Sequence, residues 1–499
     1  MTGTPFEFDI PPGLNSDDTT FGAEGRWADG SNVRFRNGRP ETIGRIVRIL
    51  GSGATTTVPN VNSLFAYLKS TSNTPYIIGG GTGALYSSAG TTTGFTDITP
   101  GAVTNAAYWT FDTWGDTLLA APNAGGLYTS DGSTTAAIVA TAPASITYVL
   151  VTFQRQVMAL GTNEVVSGTF NPMCIRVSDL EDYSSAGSWT PTATNNADEI
   201  ILEGEGKIIA GRRIGACVAV WTNAGLYLGQ FIGDPGQSYR FDLVSGGCGL
   251  VGQGAVEVLN GVAYWMSPDH RFYRWAPGSL PEQIPCPIGL DLQTNISATT
   301  SRLDTLTKAV RNAAFGEIWW FYPDTRDSAA RRFVALNTVD GTWFRGILDR
   351  RAAYHADFLY NPAATSGVRA WRPVITADAT GAIYSHEVET FGGNGDGVAS
   401  VDCYIQSADQ YLNSGRLRAM VSSAVPDFEV QTGDVSLTLY MRDRPQSTPV
   451  TKGPYTLATT DTKKDFRASG MIMAFKLSSS GQQWRLGKPS FDLVPTGQR

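Results

Sequence analysis

The chain has 499 residues, of which 55 are Gly and 26 Pro, and only 17% are charged; that profile excludes a coiled coil, a charge-rich disordered chain and a collagen-like repeat. Its 38 basic and 45 acidic side chains leave a net charge of −7, which argues against indiscriminate phosphate binding and a histone-like role. A hydrophobic share of 42% is ample for a core, and the length suits two or three domains.

Residues 1–30 carry Pro11-Pro12-Gly13 and few apolar side chains, so they read as an extended arm tied to a neighbour. The first 25 residues hold no Lys or Arg, and no apolar run approaches the roughly 18 residues that span a bilayer. The expectation is folding in the cytoplasm, with no signal peptide and no membrane span. A basic run follows: Arg26, Arg34, Arg36, Arg39, Arg45 and Arg48. Within Asn32–Gly38, Arg34 and Arg36 fall on one face of a strand, and Val33 and Phe35 on the other. Arg34, Arg36, Arg39 and Arg45 are candidate contacts to DNA phosphates or to an acidic partner ring; the competing reading is a solvated strand edge protected by charge.

From about residue 60 to 395 one pattern recurs: a short apolar run, a turn, and a second run ending in an aromatic. Tyr76-Ile77-Ile78 leads to Leu85-Tyr86, Leu118-Leu119 to Leu127-Tyr128, and Val218–Trp221 to Leu226-Tyr227. Val262–Trp265 leads to Phe272-Tyr273, Ile318–Tyr322 to Phe333–Trp343, and Val374-Ile375 to Ile383-Tyr384. Asn223-Ala224-Gly225, Asn260-Gly261 and Asp340-Gly341 supply turn chemistry, so these are hairpins. The terminal aromatics are spaced 42 residues from Tyr86 to Tyr128, 46 from Tyr227 to Tyr273 and 41 from Trp343 to Tyr384. A period in the forties with several strands per unit predicts a β-propeller of about six or seven blades. The 70-residue step from Tyr273 to Trp343 implies an insertion at Ile288–Leu306, with a short capped helix at Thr299–Asp304. Asn32–Gly38 is the candidate for closing the ring by completing the last blade.

Gly392–Gly397 reads as a linker. Beyond it Val401–Ile405, Arg416–Val421, Val435–Met441, Met471–Leu477 and Phe491–Val494 alternate with period two, which predicts a small antiparallel β-sandwich. The expected all-β organisation is thus an arm (1–30), a propeller (31–395) and a C-terminal sandwich (396–499).

Motifs for catalysis are sparse. Gly247-Cys248-Gly249-Leu250-Val251-Gly252 fits G-x-G-x-x-G, but a phosphate cradle needs a helix immediately after it, and a hairpin follows. No P-loop and no G-x-S-x-G occurs. Asp131-Gly132-Ser133 and Asp340-Gly341-Thr342-Trp343 resemble fragments of the Asp-box turn, a structural feature of sialidase-like propellers that implies no hydrolysis. Asp17-Asp18, Glu203 and Glu205 read as solvated acids, and no carboxylate pair can be placed across a pocket. Trp319-Trp320 puts one ring on each strand face, one in the core and one at a blade or subunit contact. A second basic cluster, Arg331-Arg332, Arg345 and Arg350-Arg351, carries the same two readings as the first. Cys174, Cys217, Cys248, Cys286 and Cys403 are scattered and read as free thiols, while His270, His355 and His386 are too dispersed for a zinc site. No cofactor is expected.

Ile10-Pro-Pro-Gly-Leu-Asn-Ser16 followed by Arg26–Pro40 resembles the opening of the tail hub proteins of short-tailed bacteriophages, the packaged-DNA stabilisation or tail nozzle group. Phe315–Pro323, Arg332–Asn337, Gly341–Trp343 and Val262–Asp269 are similar to central stretches of the same proteins. The resemblance implies a non-enzymatic virion protein, assembled in the host cytoplasm as a hexameric ring beneath the portal and adaptor. Such a ring extends the channel for double-stranded DNA, helps retain the packaged genome and binds the tail needle or fibres. Six copies at −7 each would carry −42, an acidity that favours sliding of DNA over adhesion. The alternative is a carbohydrate-binding or glycan-cleaving propeller of a tail adhesin, with exposed aromatics stacking on sugars.

Overall fold

The computed structural model describes residues 4–19, 22–50, 58–89, 94–101, 103, 106–296, 300–326, 331–357, 374–388, 401–412 and 418–497. The expected linker at 392–397 lies outside them.

The all-β expectation holds, and the chain is a β-propeller. Seven antiparallel sheets of four strands follow one another, six of them with all neighbouring strands hydrogen-bonded in sequence order. Their innermost strands are Val61–Lys69, Trp109–Trp114, Ile146–Val151, Ile208–Ile214, Val256–Leu259, Lys308–Asn312 and Ala352–His355, which define blades 1 to 7. The apolar runs that stand out in the sequence are the second strands, for example Leu118–Pro122, Cys217–Thr222 and Glu317–Tyr322, in which nearly every residue is buried. A strand in this position is covered on both faces by neighbouring blades, so alternation gives way to a continuous apolar run. Hairpin turns match their chemistry: Asn260 and Gly261 both take positive φ, 52° and 78°, as a type I′ turn requires.

Blade 7 supplies only three consecutive strands, Ala352–His355, Val374–Ala377 and Ile383–Ser385; its fourth is Val47–Leu50. The ring is therefore closed by the N-terminal region as anticipated, but by a segment beyond Asn32–Gly38. Val33–Arg36 and Arg39–Thr42 form a hairpin that joins Trp484–Leu486 and Phe428–Gln431 in a separate sheet. The apolar face of that hairpin, Val33 and Phe35, is buried in a core shared with Trp484 and Leu486, and this burial decides against the blade.

The N-terminal arm is likewise woven into the C-terminal strands. Thr4–Glu7 pairs with Ser490–Gly497, and Trp27–Ser31 with Asp402–Ser407. Residues 402–497 thus form three antiparallel sheets completed by N-terminal strands, and a boundary at residue 30 does not describe the pairing. Trp27 and Phe8 pack edge-on against Phe475, and one core runs from these sheets into blades 5 and 6.

The insertion between blades 5 and 6 holds two helices, α1 (Gly289–Asn295) and α2 (Thr300–Leu306). The second is the anticipated helix shifted by about one residue. Asp17 of the arm accepts hydrogen bonds from the backbone N–H groups of Gly289 (2.9 Å) and Leu290 (3.1 Å). It caps α1 from the arm while staying exposed, as expected of a solvated acid.

Blades meet through small residues where aromatic rings need room. Trp109 of blade 2 donates its indole N–H to the Gly81 carbonyl (3.0 Å), and a Cβ on Gly80 would lie 2.6 Å from its ring. Gly80→Val should lower stability by about 1–3 kcal/mol through overpacking, whereas Gly101→Ala, in open space, should change it little; urea unfolding followed by tryptophan fluorescence measures both.

Candidate functional site

Two places gather polar chemistry: the cluster around Arg34 and the channel along the propeller axis. Arg34 is 1% exposed. Its Nε lies 3.0 Å from Glu317 of blade 6, its Nη1 donates to Glu387 Oε2 at 2.9 Å, and its Nη2 contacts the other Glu387 oxygen. The guanidinium rests on the Phe315 ring, 3.8 Å from its centroid. Trp319 donates its indole N–H to Glu317 (2.8 Å), and the Gly44 N–H donates to Glu387 (3.1 Å). Burial opposes the charged guanidinium, but Glu317 and Glu387 outweigh it and raise its pKa. With two carboxylates around one cation, burial pushes Glu317 up to about 7 against the pull of Arg34.

Arg34 therefore cannot touch DNA or a partner: its own face of the hairpin is covered by Phe315, Glu317 and Glu387. Arg36 is the neighbour that reaches solvent, 3.7 Å from Glu41. Arg39 faces Arg36 across the hairpin turn and is half-buried, as is Arg45. The four candidates do not form one surface.

The second basic cluster is also dispersed among acids. Arg345 pairs with Asp29 (2.8 Å) and Asp291 (3.4 Å), and Arg332 with Asp324 (3.5 Å). Arg350 is buried over the Tyr384 ring. Trp319 and Trp320 take opposite faces as expected, but both are fully buried, one stacked on Phe333 at 4.6 Å and the other donating to Ala255 of blade 5. Neither ring is available to another subunit. Gly252 leads into the blade 5 strand rather than a helix. Asp131 accepts the N–H groups of Ser133 and Thr134, each at 2.9 Å, and Asp340 that of Thr342 at 3.0 Å, so these acids organise their turns.

The axial channel was not legible in the sequence, because each blade contributes only a few inner-strand residues to it. It encloses about 640 Å³. Around it, side chains link each blade to the next. Trp109 N–H donates to Ser63 (3.0 Å) and Val151 N–H to Asp112 (2.7 Å). Arg212 of blade 4 contacts the Tyr148 hydroxyl of blade 3 and donates to the Val256 carbonyl of blade 5 (3.1 Å). Arg311 of blade 6 pairs with Glu257 (3.0 Å) and with Asp357, which follows the inner strand of blade 7. Tyr354 meets Phe65 at 5.1 Å and so returns to blade 1. One link skips a blade: Gln253 donates to the Thr147 carbonyl at 2.9 Å, joining blades 5 and 3 past blade 4.

Within this belt Asp112 is buried, which raises its pKa, while Arg213 at 3.6 Å opposes the shift. Lys308 is 7% exposed and has no hydrogen bond or ion pair among the described residues. Burial lowers its pKa to about 8; Asp304 opposes that shift and Arg212 adds to it. No group of three or more His, Cys, Asp or Glu side chains that could hold a metal occurs among the described residues.

No protein-family profile and no curated protein matches the chain. Solved structures do. The β-propeller domain of Cps50 (Swd1) from Myceliophteria thermophila is 9% identical, covering 67% of this chain and 99% of that one at a TM-score of 0.41. BamB from Moraxella catarrhalis is 13% identical, covering 74% and 95% at 0.34. The computationally designed Ika8 protein is 10% identical, covering 68% and 99% at 0.37. Likeness at this level carries nothing about activity, and the fold rests on the strand pairing.

Two expectations follow. Arg34→Met should cost about 3–5 kcal/mol, because it strands two buried carboxylates, while Glu317→Gln, which mimics the protonated acid, should cost far less. The folded state holds a proton on Glu317 that the unfolded chain releases between about pH 4.5 and 7. Wild type should therefore lose stability relative to Glu317→Gln as pH rises through that window, measured by urea unfolding at each pH. For Lys308 the folded pKa lies below the unfolded 10.5, so the protonated form disfavours folding. Lys308→Met should be more stable than wild type by about 3 kcal/mol at pH 7, with the gap closing between about pH 8 and 10.5.

Proposed function

We propose that this chain is a non-enzymatic structural subunit of a short bacteriophage tail, forming a hexameric hub or nozzle ring beneath the portal and adaptor. The observation that carries the reading is the exposed apolar surface of blade 3. Phe153, Val166, Phe170, Leu180 and Ile201 all belong to this blade and are exposed, Val166 at 97% and Phe153 at 73%; Phe153 and Leu180 lie at one end of the blade, Val166 and Phe170 at the other. Large apolar side chains left in water on one element mark an association surface. The adjoining blade 4 adds Ile232 and Leu243, on a long outer hairpin formed by Gly225–Asp234 and Gln237–Gly246.

The axial channel limits how such a subunit handles DNA. The channel encloses only about 640 Å³, so this reading routes the duplex outside the propeller. The DNA passage of this reading is the lumen between six subunits, where a net charge of −7 per copy disfavours phosphate adhesion. Rigidity comes from the closed blades, and the outer apolar surface joins neighbours around the axis. Arg36, exposed beside Glu41, is the one candidate of the basic run placed to meet an acidic partner.

Size-exclusion chromatography with light scattering on the purified chain should give rings of about 320 kDa, six copies of 53.4 kDa, with six-fold images by negative stain. Phe153→Ser combined with Val166→Ser should give monomers of unchanged melting temperature. A wild-type chain that stays monomeric at high concentration, with adaptor present, would overturn the reading.

A further inference from the structure

The carboxylates of the axial channel are satisfied from within it. Asp112 accepts the Val151 N–H and faces Arg213, and Glu257 and Asp357 share Arg311. Arg212 is held by the Tyr148 hydroxyl and by backbone carbonyls. Lys308 is the exception. Its side chain lines the channel, is more than nine-tenths buried, and forms no hydrogen bond or ion pair among the described residues. A buried cation without an acceptor is costly unless an anion completes it.

Gly254 makes room for the Lys308 side chain itself: a Cβ there would come within 2.5 Å of Lys308 Cδ and 3.2 Å of its Nζ. The space for an anion is the channel of about 640 Å³ that Lys308 lines. The channel volume falls in the range of small-molecule sites, which combine apolar walls with a few convergent polar groups. Phe65, Phe111, Tyr148 and Tyr354 provide the rings. Arg212 adds positive charge near Lys308, and Asp304 is the acid that acts on it from α2.

We propose that the propeller channel is a binding site for a small organic anion, whose carboxylate or phosphate group is received by the Lys308 ammonium and whose body lies along the aromatic wall. The site is independent of ring formation, because every lining residue comes from one chain.

The test uses the full chain in a chloride buffer, with inorganic phosphate and benzoate as separate probes at matched ionic strength. Calorimetric titration and thermal shift should show one site per chain for at least one probe. Lys308→Met should weaken that binding tenfold or more while the protein remains folded. Lys308→Gln, which keeps a donor without the charge, carries the same comparison should the methionine variant not be recovered. Whether phosphate or benzoate binds separates the two head groups. Failure of both probes to bind wild type, or equal binding by wild type and the Lys308 variant, would overturn the proposal.

Discussion

The buried ion cluster of Arg34 with Glu317 and Glu387 is the constraint on which the rest of the architecture depends. Arg34 sits on the hairpin that joins the C-terminal sheets, Glu317 on the second strand of blade 6, and Glu387 two residues past the last consecutive strand of blade 7. Glu387 also receives the Gly44 N–H, three residues before the strand that closes the ring. One guanidinium thus fixes both ends of the chain that meet in blade 7. No side chain fits at Gly44, where a Cβ would lie 2.9 Å from the Glu387 Cα. Such a cluster gives little net stability compared with an apolar core, but it tolerates only one arrangement of its members.

Around the axis a second set of polar contacts performs a related task. Inner strands of neighbouring blades are joined by the contacts of Ser63, Asp112, Arg212, Glu257 and Arg311. Each of these groups is satisfied by a neighbouring blade, which ties the inner wall of the ring together. The outer faces of blades 3 and 4 show the opposite chemistry, apolar side chains left without cover.

What could be read from the chain order was what local chemistry dictates. Asn260-Gly261 and Asn37-Gly38 adopt positive φ at both positions, so their hairpins were visible as dipeptides. The apolar runs of the second strands were visible because two neighbouring blades cover them. The channel was not visible, since its lining is drawn a few residues at a time from seven strands far apart in sequence. Arg34 resembled a surface arginine because its partner Glu387 is 353 residues away. The capping role of Asp17 was invisible for the same reason, its helix lying 272 residues on.

The sequence by itself determined the all-β class, the repeat of hairpins and the order of the blades, because turns and strand patterning act over a few residues. Only the tertiary structure decided that Val47–Leu50 closes the ring, that the N-terminal strands complete the C-terminal sheets and that Arg34 is enclosed. The alternating segment Asn32–Gly38 had a local claim to the last blade. The competition was settled by which apolar faces and which buried charges found partners across hundreds of residues of chain.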